Sequence, residues 1–442
     1  MRRAVFAPLL AAVLPLLAPP ATRAVRHPAS IATADTGKKK NPDLPLATTR
    51  TVSFSTSEGT WLSLDVSPDG RTIVFELLGD LYTMPIAGGT ATRITSGPSF
   101  DSQPRWSRDG KQIVFLSDRS GAENIWLCDA DGSHAKAVTK GSNNLYASPA
   151  WTPDGNYIVA SRTSGVLGSV YELWLYHKDG GSGTGMIKSG TPAPGVPQMN
   201  ILGAAFGSDP RYVWVSRHRG GFGYNLQINS FQAEWQVAVY DRQTGQTNGV
   251  TDVQGSGMRP ILSPDGKWLV YATRHDTATG LRLRDLSTGD ERWLVYPVTR
   301  DDQESRFTRD LEPGSAFTPD SKALITTFGG KIWRVEVPSG QVSAIPFTAQ
   351  VEQQLGPLVR FDFRVDTGDI TLRQIRDGSA SPDGKHLVFS ALDRLYVMDL
   401  PGGTPHRLTT ETVHEQEPVW SPDGKSIAYI MWTDTSGAVA KV

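Results

Sequence analysis

Trp106-Ser107-Arg108-Asp109-Gly110-Lys111-Gln112-Ile113-Val114-Phe115 is the stretch on which the fold turns. An aromatic residue closes one segment, four residues make a tight turn, and a run of β-branched and aromatic residues opens the next. The turn has a chemical reason: Asp bonds its own backbone, and Gly takes the left-handed conformation that closes a hairpin. Where Pro occupies the second position, as in Ser67-Pro68-Asp69-Gly70, it presets the first corner. The tetrapeptide returns as Thr152-Pro153-Asp154-Gly155, Ser263-Pro264-Asp265-Gly266, Thr318-Pro319-Asp320-Ser321, Ser381-Pro382-Asp383-Gly384 and Ser421-Pro422-Asp423-Gly424, and a degenerate copy, Ser208-Asp209-Pro210-Arg211, fills the middle. From aspartate to aspartate the spacings are 40, 45, 55, 56, 55, 63 and 40 residues. The shorter ones equal the length of a four-stranded propeller blade, and the longer ones leave room for loops.

Each turn is followed by a strand such as Thr72-Ile73-Val74-Phe75, Trp268-Leu269-Val270-Tyr271 or His386-Leu387-Val388-Phe389. About ten residues later comes a second strand, for example Asp80-Leu81-Tyr82-Thr83-Met84 or Asn124-Ile125-Trp126-Leu127. A Gly-rich turn then leads to an outer strand ending in Thr, at Thr95, Thr139, Thr251 and Thr409. The innermost strand precedes each turn and often carries Trp, as at Trp106, Trp151 and Trp420. A meander of this kind cannot bury both faces alone and must stack against neighbours, which a closed ring provides. The expected fold is all-β: a β-propeller of about seven to eight four-stranded blades over 51–442. In it the repeated aspartates and glycines are turn chemistry.

The Ser-Pro-Asp-Gly-Lys-x-apolar pattern with its Leu-Thr ending resembles the TolB-like, WD-type β-propeller repeats of exported bacterial proteins. Residues 54–95, with Glu58-Gly59-Thr60-Trp61-Leu62-Ser63-Leu64-Asp65-Val66 and Leu77-Leu78-Gly79-Asp80-Leu81-Tyr82, resemble the N-terminal propeller region of secreted amidohydrolase-family proteins. That resemblance implies a metal-dependent hydrolase domain acting on C–N bonds beyond residue 442. The last repeat reaches only its third strand, Ala438 to Val442. The chain is thus either a piece of a longer protein or a propeller whose last blade is closed by the N-terminal strand Thr51 to Ser55.

Arg2 and Arg3 followed by the apolar stretch Ala4 to Leu17 read as a cleavable signal peptide over 1–24, with a flexible leader over 25–50. A periplasmic or secreted product is expected. Removing 1–24 takes away Arg2, Arg3 and Arg23 and no acid, which moves the net charge from −1 to −4. This near balance gives no reason to expect nucleic acid as a partner, and no segment suggests a stable membrane span. Cys128 is the single cysteine, so no intramolecular disulfide forms, and its apolar setting makes it a structural thiol.

The chemistry-bearing residues do not cluster in sequence. The eight histidines (27, 134, 177, 218, 275, 386, 406 and 414) include no His-x-His and no His-Glu-x-x-His pair of metal-ligand spacing. Val413-His414-Glu415-Gln416-Glu417 is the nearest approach and reads as a loop or channel-mouth segment. No Gly-x-Ser-x-Gly elbow is present. Gly180-Gly181-Ser182-Gly183-Thr184-Gly185 lacks the Lys of a phosphate loop and reads as a blade loop, and Arg217-His218-Arg219-Gly220-Gly221-Phe222 as an exposed basic-aromatic loop. No catalytic, cofactor-binding or metal residue is therefore assigned, and no cofactor is expected. Three readings stay open: an exported binding or scaffold module, taking a protein or peptide ligand at one propeller face or the channel mouth; the accessory propeller of the hydrolase just described; and an envelope assembly factor with a TolB-like partner role.

Overall fold

The computed structural model describes residues 47–164, 170–190, 199–219, 234–303, 310–358, 368–369 and 372–442, which contain strands and turns and no α-helix. The signal-peptide and leader segment up to residue 46 lies outside the described residues. The chain divides into two compact units, Met1–Leu358 and Val359–Val442.

The first unit is a propeller of six four-stranded blades. Blade 1 takes Leu64–Val66, Thr72–Leu77, Asp80–Pro85 and Gly89–Arg93, from its innermost to its outermost strand. Blade 2 runs from Asp101 to Ala137, blade 3 from Leu145 to Ile187, blade 4 from Ile201 to Gly249, blade 5 from Met258 to Val295 and blade 6 from Ala316 to Ile345. The second strand of each blade is packed on both faces, which is why it reads as a continuous apolar run: Ile113, Val114, Phe115 and Leu116 are all buried.

The repeated tetrapeptide joins the first strand to the second. Ser107 Oγ donates to Asp109 Oδ1 at 2.6 Å, Asp109 Oδ1 accepts from Lys111 N at 3.1 Å, and Ser107 Oγ accepts from Gln112 N at 2.9 Å. The hydroxyl and the backbone N–H hold the Asp109 carboxyl below the usual carboxylate range. The degenerate copy also turns, with Arg211 N donating to Asp209 Oδ1 at 2.9 Å. The Thr that ends the outer strand ties that strand to the third: the hydroxyls of Thr95, Thr139 and Thr251 accept from Leu81, Ile125 and Val237 N, each at 2.9 Å. The inner-strand Trp links blades, since Trp151 Nε1 of blade 3 donates to Arg105 O of blade 2 at 3.2 Å.

The ring closes after blade 6. Leu64 N donates to Gly314 O and Gly59 N to Gly330 O, both at 3.0 Å, and Thr327 Oγ1 donates to Leu62 O at 2.9 Å. The chain then lays Phe347–Leu355 parallel to the outer strand of blade 1, and Arg50–Thr56 pairs antiparallel with that added strand. The N-terminal strand thus completes no last blade, which corrects that alternative. The reason is the strict alternation of Phe347, Ala349 and Val351 (buried) with Thr348, Gln350 and Glu352 (exposed). One face seals blade 1, where the Phe347 ring lies 5.2 Å from that of Phe75, and the free edge recruits Arg50–Thr56. Val52 and Phe54 remain 37% and 43% exposed on this outer strand.

The second unit holds two repeats: a four-stranded sheet between Arg376 and Arg407 and a three-stranded one between His414 and Lys441. They pack as blades do, with Trp420 Nε1 donating to Ser379 O at 3.1 Å. All eight repeats of the sequence are therefore sheets, but the span 51–442, expected as one propeller, is divided between two units.

Candidate functional site in the central channel

The channel of the first unit is built from a distortion that recurs in its inner strands. Register shifts by one residue between Ser102 and Arg105, Ala147 and Ala150, Leu202 and Ala205, and Met258 and Ile261. At each bulge one residue adopts left-handed backbone: Gln103 (φ 53°), Ser148 (54°), Gly203 (72°) and Arg259 (51°). Such a conformation costs a non-glycine residue about 1–2 kcal/mol and is held by neighbouring blades. Gln103 N donates to Glu76 Oε2 at 2.7 Å, Ser148 N to Gln103 Oε1 at 2.6 Å, Gly203 N to Ser161 Oγ at 3.0 Å and Arg259 N to Ser216 Oγ at 2.8 Å. Bulges re-aim side chains, and here they bring Arg105, Ser148 and Arg259 to the channel cavity, with Gly203 leaving space in blade 4.

These side chains meet across the ring. Arg259 of blade 5 donates through Nη1 to Ser148 Oγ of blade 3 at 3.0 Å, and both contact the carboxylate of Asp310. Asp310 arrives on the long connection from blade 5 to blade 6, so residues 310–315 floor the channel. Arg105 of blade 2 donates through Nη1 to Leu64 O at 2.9 Å and Ser315 O at 3.3 Å, and lies 3.7 Å from Asp65 of blade 1. Asp65 Oδ2 in turn accepts from Trp106 N at 2.8 Å. Above this floor lies a cavity of about 240 Å³ lined by all six blades, with Asp65, Arg105, Ser148, Gly203, Arg259 and Phe317 as one representative of each. It reaches the turn residues Arg108 and Pro264 and so opens on the side of the Ser-Pro-Asp-Gly turns.

Burial governs the electrostatics. It raises the Asp65 carboxyl, and Arg105 opposes that rise. Burial, followed by the like charge of Arg105, pushes the Arg259 guanidinium well below its ordinary value. Glu312, within the floor, is pushed well above the carboxylate range by burial and then by Asp301, and its Oε2 has no hydrogen-bond partner among the described residues.

The segments singled out in the sequence lie elsewhere. His414–Trp420 is an inner strand and not a loop: His414 Nδ1 lies 3.0 Å from Asp393 Oδ2, and buried Glu415 accepts from Thr409 Oγ1 at 2.6 Å. Gly180–Gly183 forms the turn before Thr184–Ile187 in blade 3. Arg217 and His218 end a strand, and Gly220 to Phe222 lie outside the described residues. The Cys128 thiol is pushed up to about 12 by burial. Among the described residues no three His, Cys, Asp or Glu gather as metal ligands. Sequence reading missed Arg105, Ser148, Arg259 and Asp310. For Arg105 and Ser148 the signal available was the pattern left-handed residue-Pro-x-Trp before the turn, in Gln103-Pro104-Arg105-Trp106 and Ser148-Pro149-Ala150-Trp151; Arg259-Pro260-Ile261-Leu262 keeps its Pro without the Trp, and Asp310 lies outside the pattern.

Residues 37–178, covering blades 1 and 2 and most of blade 3, match the family model of the TolB beta propeller domain. The chain carries TolB-like propeller repeats. It is 29% identical over 182 residues to "Tricorn protease homolog 1" of Streptomyces coelicolor, covering 40% of this chain and 17% of that one. It is 32% identical over 111 residues to the "Tol-Pal system protein TolB" of Wolinella succinogenes, covering 24% and 25%. The TolB-like chain thus spans a quarter or less of the length of these two relatives. Among solved structures, the tricorn protease crystal structure superposes at a TM-score of 0.49 and 15% identity, over 87% of this chain and 34% of that one.

Proposed function

We propose that this TolB-like propeller is an exported binding module that takes a peptide or protein segment in the channel pocket of its six-bladed unit. The observation that carries this reading is the channel pocket that holds Arg105 and Arg259. It is concave, walled by apolar side chains such as Pro149, Pro260 and Ile261, and supplied with a few convergent polar groups, which is the usual make-up of a binding site. Export rests on Arg2-Arg3 and the apolar run that follows, and places the module in the periplasm or outside the cell. The test is to select binders from a displayed peptide library on the purified protein, then repeat with Ala205→Trp, which fills the pocket. Binders lost with Ala205→Trp support the channel, and binders that ignore the substitution refute it.

A second reading is that the propeller presents substrate to a hydrolase. The resemblance of residues 54–95 to amidohydrolase-associated propellers favours it, as does the name of the tricorn homolog, a protease. The genomic reading frame past codon 442 tests it: a hydrolase domain supports it and a stop codon refutes it.

A further inference from the structure

The chemistry of the pocket names the group that enters it, on the premise of the channel reading above. Arg105 and Arg259 stand on different blades, yet their Nη2 atoms converge on Gly314, where a Cβ would lie 2.8 Å from one and 3.2 Å from the other. Each guanidinium engages the protein through Nη1 alone, Arg105 with the Leu64 and Ser315 carbonyls and Arg259 with Ser148 and Asp310. The Nε and Nη2 atoms of both have no hydrogen-bond acceptor among the described residues, and the two side chains are 17% and 8% exposed. Unspent guanidinium N–H groups in a confined, part-apolar cavity match the two oxygens of a carboxylate.

Charge selects among anions. Arg105, Arg259 and the rim Arg108 face Asp65 and Asp310, with Glu312 and Glu76 also acting on Arg259, so the pocket holds little surplus positive charge and a dianion is disfavoured more than a monoanion. Shape selects the source. Residues 310–315 lie beside both arginines, through Asp310 with Arg259 and Ser315 with Arg105, so a chain end reaches them with one strand in the pocket, whereas an internal acidic side chain brings chain on both sides of it. We propose that the pocket binds the free C-terminal carboxylate of a peptide through Arg105 and Arg259, with an aliphatic last side chain against Pro149, Pro260 and Ile261.

The test is calorimetric titration of the full chain with N-acetyl-Ala-Ala-Val bearing a free carboxylate, with its C-terminal amide, and with inorganic phosphate. The acid is expected to bind at least about ten-fold more tightly than the amide, as charge-assisted hydrogen bonds allow. Arg105→Gln and Arg105→Lys should each weaken the acid by about ten-fold, the Lys variant keeping the charge and the fold while removing the fork. Arg292→Gln, on the outer strand of blade 5, should change nothing. Equal affinity of acid and amide overturns the carboxylate assignment, and if Ala205→Trp still abolishes both, the channel reading survives it. Acid binding that is indifferent to Ala205→Trp overturns both readings. Phosphate competing as well as the peptide overturns the chain-end assignment, and no binding of the acid at millimolar concentration overturns the proposal outright.

Discussion

Replacing Asp310 by Ala should destabilise the six-bladed unit by about 3 kcal/mol, because Arg259 is then buried without its counter-ion. The Arg259 and Asp310 side chains are 8% and 2% exposed, and removing one partner of a pair so buried costs roughly 3–5 kcal/mol. The lower end applies because Arg259 lines the pocket and Glu312 and Glu76 also act on its charge. Leu311 N also loses its acceptor, Asp310 Oδ1 at 2.6 Å, while Ser148 Oγ keeps Arg259 Nη1. Adding Arg259→Met removes the stranded charge and should restore about 2 kcal/mol, since an apolar replacement of a buried pair is often near neutral. Urea unfolding followed by tryptophan fluorescence reads both values. In thermal melts the single variant should fall by roughly 6–12 °C, at about 2–4 °C per kcal/mol. A loss under about 1 kcal/mol, or a double variant no more stable than Asp310→Ala, would refute an ion-paired channel floor.

Three further outcomes are expected. Burial pushes the Asp80 carboxyl up to about 7, with Arg93 opposing and Asp101 adding, while in the unfolded chain it titrates near 3.8. The folded state therefore holds a proton that the unfolded state has lost, so stability falls as pH rises from about 4 to about 7 and levels off above. Asp80→Asn should flatten that slope in urea melts at pH 5 and pH 8, and an unchanged slope would count against the assignment. Phe347→Ala removes a 3%-exposed ring packed on Phe75 and should cost about 3–5 kcal/mol, with hydrogen exchange rising first in 347–355 and 50–56; protection unchanged there would show that the added strands do not depend on it. Asp109→Ala deletes two turn hydrogen bonds and should cost about 1–2 kcal/mol without altering the circular dichroism, and a variant as stable as the parent would show that these bonds do not stabilise the blade.

The blades were legible because their determinants are local. Ser107, Asp109 and Gly110 bond within six residues of chain, and Thr95, Thr139 and Thr251 each bond their own blade, so composition and spacing suffice. The added strand Phe347–Leu355 was also legible in principle, through the alternation of Phe347, Ala349 and Val351 with polar residues. Its partner was not, because parallel pairing with Gly89–Arg93 joins residues more than 250 positions apart. The channel was hidden for a similar reason: Ser148, Arg259 and Asp310 form one cluster across separations of 111 and 162 residues.

The repeat, the turn within each repeat and the sheet that each repeat becomes all follow from the order of residues along the chain, since each rests on backbone conformations that a few adjacent residues dictate. Three other features arose only when the chain packed in space: the ring closes after six blades, Arg50–Thr56 joins the outside of blade 1, and two arginines share a pocket. Ring closure depends on the angle at which successive blades pack and on which edge is free when the chain returns. Those quantities are summed over hundreds of residues and written in none of them.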